Sequence, residues 1–364
     1  MNNSNSLAVQ KQRSKIEILQ IMRTFSAIVV FLSHFFDPNE YALPMGTVFV
    51  GRTGVAFFFM ISGFLLIYTD RGTTKGYFRK RIIRLVPLYY ITTLAVFGIG
   101  LIIPSFLHTS ESGAVSLIKS LLFIPFYSGK GVFPLYPITW TLTAEVFVYV
   151  IYYIPLLLLK IPALRNKSND FEKKFKCIFT SGILAFLVIL REFVPKNIFT
   201  DAYGAKYMLY FIIGILCACF WDKILDAAKN LHIVLTPTDN KAAKLIAALS
   251  VGVCIIGISL LYKDNYIFIA LMGVIFMITL ALLWEYRFSK AFVVMGDISY
   301  SFYLIHYFVV KLYLRMFCNS NEVTNVALAV FMAVLCYAIT TVLAYICFHI
   351  IEKRFSGWLK KVIL

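Results

Sequence analysis

The chain has 364 residues, 60% of them hydrophobic and 15% charged, with a formal net charge of +17 and a mean hydropathy of +0.81. A soluble domain is about 45–50% apolar, so an ordinary soluble enzyme is excluded and a polytopic membrane protein is predicted. The positive excess invites a nucleic-acid reading, but the order of the charges along the chain assigns it to membrane topology instead.

The apolar runs predict an all-α membrane bundle of about ten transmembrane helices. They fall near 17–37, 47–69, 84–104, 137–159, 177–194, 204–221, 243–262, 265–285, 291–314 and 324–351. Residues 1–16 are a polar N-terminal tail, 17–355 a single membrane domain and 356–364 a C-terminal tail. The run 115–127 is too short to span and reads as an interfacial or re-entrant piece. With the N-terminus inside, the cytoplasmic segments hold 25 of the 35 Lys and Arg residues and the opposite side holds 9, which places both termini in the cytoplasm.

The first span carries Arg23 and His34. An arginine within a spanning helix costs roughly 2.5–3.5 kcal/mol on insertion scales, so it marks a polar interior. Arg23 and His34 are eleven positions apart, hence on one helical face and about 16 Å apart along the axis. They read as one wall of a polar shaft, with a cation at one end and a titratable base at the other. Asp37 follows His34 by one turn. In the second span, Ser62-Gly63 reads as a site of close helix packing rather than as a nucleophile.

Before the third span, Arg79, Lys80, Arg81 and Arg84 bunch together. The first two serve as a positive-inside anchor. Arg81 and Arg84 share a helical face and can grip a phosphorylated ligand. Pro87 is expected in the first turns of this span, where a helix tolerates proline best. In the fourth span, Glu145 is the one carboxylate well inside a predicted helix. It must be paired or protonated. It can orient or protonate His34, bind a sugar hydroxyl, or serve as a structural partner, while Trp140 could stack on a sugar ring. In the ninth span, Ser299, Tyr303 and His306 form one polar stripe, open to packing or to substrate contact. His108 and His232 lie in loops, and His349 reads as structural. The seven cysteines sit in apolar runs without a CxxC, so neither disulfides nor a metal site is expected.

Taken together, these residues resemble the acyltransferase family 3 membrane O-acyltransferases. The likeness rests on Arg23 with His34, the block GVAFFFMISGF at 54–64, Arg81 and Arg84 before Pro-Leu-Tyr-Tyr, WTLTAE ending at Glu145, and SYSFYLIH at 299–306. It runs in the family's order from about 17 to 355, in the form without a soluble esterase-like domain. Two departures are visible: ILQIMR at 18–23 where the family usually has Leu-Asp-Gly-Leu-Arg, and Thr143-Ala144 where Ser-Val is usual. The resemblance implies transfer of an acyl group, usually acetyl, from cytoplasmic acetyl-CoA to a hydroxyl of a surface glycan or its lipid-linked precursor in a bacterial inner membrane, with lipopolysaccharide among the typical acceptors. His34 and Glu145 would be catalytic, with His34 a general base or a transient acyl carrier. Arg23, Arg81 and Arg84 would bind the coenzyme; Ser299, Tyr303 and His306 would contact substrate. The alternative is a secondary transporter or glycan exporter, although the internal repeats frequent in transporters are not found.

Overall fold

A computed structural model describes residues 16–36, 48–74, 76–103, 113–128, 131–164, 167–235, 266–317 and 326–363. These are helical almost throughout, as expected. Among the described residues, five helices are long and apolar enough to cross a membrane, or up to seven if two bent pairs each count as one. That is fewer than the ten expected, and the expected span at 243–262 lies outside the described residues.

The helices are α1 (Glu17–Phe35), α2 (Val48–Tyr68), α3 (Tyr77–Ile102), α4 (Ala114–Leu121), α5 (Trp140–Leu158), α6 (Asn169–Phe193) and α7 (Ile198–Tyr203). There follow α8 (Met208–Cys219), α9 (Trp221–Asn230), α10 (Tyr266–Leu282), α11 (Lys290–Asp297), α12 (Ser299–Phe317), α13 (Val326–Cys347) and α14 (Ser356–Ile363). A π-helical segment, Phe348–Phe355, joins α13 to α14. A short antiparallel pair, β1 (Tyr127–Ser128) with β2 (Gly131–Val132), precedes α5.

Apolar side chains gain little by leaving lipid for protein, so a membrane bundle depends on close packing and internal hydrogen bonds. Here α2 is the hub, with its most extensive packing against α8 and α1. Glycine makes the α2–α8 approach possible. A Cβ on Gly63 would strike the Phe211 carbonyl, and one on Gly214 would strike the Met60 carbonyl. The expected packing role of Gly63 is thus observed. Around this crossing Phe57, Met60, Phe64 and Phe211 are wholly buried. On α13, by contrast, Val330, Phe331, Val334 and Val342 are exposed, as befits an outer face toward lipid.

Three sequence expectations need correction. The expected single span 291–314 is broken: α11 and α12 meet at a bend of 70°. Gly296 allows α11 to lie directly on α1, since a Cβ there would meet the Gln20 carbonyl, and Thr24 Oγ1 donates to Phe292 O at 3.1 Å. The expected span 204–221 holds only the twelve-residue α8, and at its end the chain bends by 66° into α9. Finally, α3 begins at Tyr77, two turns earlier than expected, so Pro87 sits in the helix interior. Proline has no N–H and leaves the carbonyl four residues earlier without its helical partner. That carbonyl belongs to Ile83, and it accepts a hydrogen bond of 2.9 Å from Ser356 Oγ. The stretch expected as a C-terminal tail is therefore helical over Ser356–Ile363 and tied to α3.

The short run at 115–127 forms α4, eight residues long. Two α3 tyrosines pin it: Tyr89 donates to Ser120 O at 2.6 Å and Tyr90 to Leu121 O at 3.0 Å.

Candidate active site

The residues expected along one polar shaft have two sets of neighbours on α1, one around Arg23 and one around His34. Gly51 faces Ser33 and Gly54 faces Ser26 and Val30, so α2 runs antiparallel to α1. These contacts set the heights of the site residues.

The first group surrounds Arg23. Glu145 Oε1 accepts a hydrogen bond from Ser62 Oγ at 3.0 Å and another from Tyr149 OH, one turn along α5. Ser62 lies eight residues beyond Gly54, about 12 Å further along α2, so Glu145 stands level with Arg23. The two are within electrostatic reach, as are Arg23 and Asp297. The Arg81 guanidinium lies 3.9 Å from the Tyr77 ring centroid and 4.8 Å from that of Tyr149. Arg84 is exposed, yet it is within electrostatic reach of Arg23, Tyr149 and Glu352. Arg84 thus links the inward cluster to the exposed surface of α3. Glu352, on the π-helical segment, accepts from Ser301 Oγ.

The second group surrounds His34. Its ring lies 5.3 Å from that of His306 and 5.3 Å, edge to face, from Tyr307. His34 also forms part of the wall of a cavity of about 640 Å³, whose lining includes Trp140, Tyr207, Arg52, Arg191 and Lys206. Trp140 is held by edge contacts with Phe59 at 5.8 Å and Tyr207 at 4.8 Å. Arg23, Arg81, Arg84 and Glu145 are absent from this wall.

Glu145, expected to act with His34, meets Ser62 and Tyr149, while the rings beside His34 are those of His306 and Tyr307. The carboxylate serves Ser62, Tyr149 and Arg23. The stripe on α12 is inside the packing: Ser299, Tyr303 and His306 are 4%, 8% and 1% exposed. Tyr303 OH donates to Ile138 O at 2.7 Å. His306 Nδ1 lies 2.6 Å from Tyr303 O, and since a carbonyl only accepts, Nδ1 carries the proton. None of the three lines the cavity; His306 adjoins its wall through His34.

Sequence reasoning missed Tyr149, Glu352, Arg52, Arg191 and Lys206. Tyr149 carried a usable signal, its spacing of four from Glu145 on one helical face. In the sequence the three cations are legible only as charges on the side opposite the termini.

The profile of acyltransferase family 3, described as an acyltransferase domain, matches residues 16–348. The exopolysaccharide production protein ExoZ of Rhizobium meliloti is 26% identical over 275 residues, covering 72% of this chain and 77% of that protein. ORF330 of Acidianus two-tailed virus, named for an acetyltransferase, is 29% identical over 195 residues, covering 52% of this chain and 51% of its own length. No solved structure matches. The chain is an acyltransferase and belongs to acyltransferase family 3.

Proposed function

We propose that this acyltransferase is an integral membrane O-acyltransferase of a bacterial inner membrane. It moves an acyl group, acetyl by family habit, from cytoplasmic acetyl-CoA to a hydroxyl of a surface glycan or its lipid-linked precursor. The observation that carries this reading is the position of His34: its imidazole shares a cavity wall with Trp140, at the opposite end of α1 from the exposed Arg84. The names of the two relatives, one for exopolysaccharide production and one for an acetyltransferase, support a glycan acceptor and an acetyl donor.

Arg84 and Arg81 receive the phosphates of the coenzyme, since a guanidinium donates two parallel hydrogen bonds to such oxygens. The pantetheine arm passes Arg23 along α1 and delivers the thioester to the cavity. Neutral His34 takes the proton of the acceptor hydroxyl as its oxygen attacks the thioester carbonyl. The C–S bond then breaks, and the coenzyme thiolate leaves with the proton held by the imidazolium. His306 packs beside His34 and positions it; Ser299 and Tyr303 hold α12 in register. Glu145 contributes by keeping Arg23 charged and oriented in the passage.

Purified protein incubated with radiolabelled acetyl-CoA and envelope glycans tests the scheme. His34→Ala abolishes glycan labelling and spares coenzyme binding; loss of both would make His34 a structural residue. Label retained on the protein without acceptor would instead assign the acyl-carrier route. Replacing Arg81 and Arg84 together with Gln weakens coenzyme binding tenfold or more. Unchanged affinity would leave that pair a topology signal only.

A further inference from the structure

The cavity beside His34 has a charge pattern that a neutral sugar does not need. Its lining holds three cations, Arg52, Arg191 and Lys206, and one carboxylate, Glu192, with Asp201 paired to Arg191 beside it. The positive-inside rule disfavours Lys and Arg on the non-cytoplasmic side. Of the nine counted there, three converge on this cavity. Topology therefore argues against these charges, and a local purpose has to account for them.

Arg191 is the best formed of the three. Asp201 Oδ1 accepts from its Nε at 3.3 Å and from its Nη2 at 3.2 Å. A guanidinium has five N–H groups, and this clamp, which uses Nε and Nη2, orients the fork. Asp201 is itself steadied by Tyr127 OH at 3.1 Å. Lys206 Nζ lies 4.8 Å from the centroid of the Tyr266 ring, and exposed Arg52 stands at the rim, next to Gly51. Trp140 contributes an aromatic ring to the same wall. A ring to stack, a hydroxyl to deprotonate at His34 and an anion to hold are thus provided within one cavity.

We propose that the acceptor carries an anionic group, a carboxylate or a phosphate, received by Arg191 and Lys206 with Arg52 at the mouth. The proposal rests on the acyl-transfer reading for the role of the cavity. A carboxylate would come from an acidic sugar, and a phosphate from a saccharide linked to a phosphorylated lipid carrier.

The full-length protein in detergent is titrated with methyl β-glucuronide, glucose 1-phosphate and methyl β-glucoside. At least one charged probe binds tenfold or more tightly than the neutral glucoside. The tighter of the two charged probes identifies the source of the anion. Arg191→Gln and Lys206→Gln each lower that affinity about tenfold, leave the neutral glucoside unchanged and keep the wild-type affinity for acetyl-CoA, which reports an intact fold. Arg191→Lys, which keeps the charge but loses the fork, falls between. Equal binding of charged and neutral probes, charged binding that survives both Gln variants, or no binding of any probe overturns the proposal. If the charged probe binds as expected while no acceptor receives label, the transfer reading falls and the anion pocket stands.

Discussion

Arg23 and Glu145 illustrate what a charged residue needs in an apolar bundle. Each alone would be costly among helices facing lipid. The structure sets them level and adds Ser62 and Tyr149 as donors to the carboxylate. Stability should therefore depend on the pair more than on either member. Arg23→Met and Glu145→Gln combined should destabilise by about 1–3 kcal/mol less than the sum of the single changes. Thermal melts of the four proteins in one detergent measure this, and strict additivity would show that the two side chains do not interact. His34, Arg23 and Glu145 could each be singled out from sequence, because a polar residue in an apolar run is conspicuous. Their grouping was not legible. Spacing rules relate residues within one helix and do not report which side chain of another helix lies opposite.

At the scale of the elements, the α3 proline and the C-terminal helix explain each other. Pro87 leaves Ile83 O without its helical donor, and Ser356 Oγ supplies one from the far end of the chain. Ser356→Ala should cost about 1–3 kcal/mol, the penalty for an unsatisfied buried acceptor. Adding Pro87→Ala restores a backbone N–H, so the double variant should recover most of that loss. If Pro87→Ala gives no recovery, the carbonyl is not what Ser356 serves. Hydropathy located α3 but not its start, because basic residues at 79–84 end the apolar window while the backbone continues as helix. It also merged α11 with α12, since a bend of 70° leaves no mark on a sliding average when both halves are apolar.

For the whole molecule, the proposed orientation puts Lys80 and Arg52 on opposite sides of the membrane. Both are exposed. A cysteine at position 80 should react with an impermeant thiol reagent only after the cells are opened, and one at position 52 should react in intact cells. Labelling of both from the same side would overturn the orientation and the direction of transfer with it. Amino-acid order was enough to determine that the chain is helical, which segments are apolar enough to cross a membrane and where cations are concentrated. Each of these properties belongs to one segment, and transfer into lipid acts on segments individually. Tertiary structure alone decided that Arg23, Glu145 and Tyr149 gather in one cluster and that Arg52, Arg191 and Lys206 converge on the cavity beside His34. Those outcomes depend on which helices pack together and at what height, and that is set by close contacts such as Gly63 on Phe211, between residues far apart in the chain.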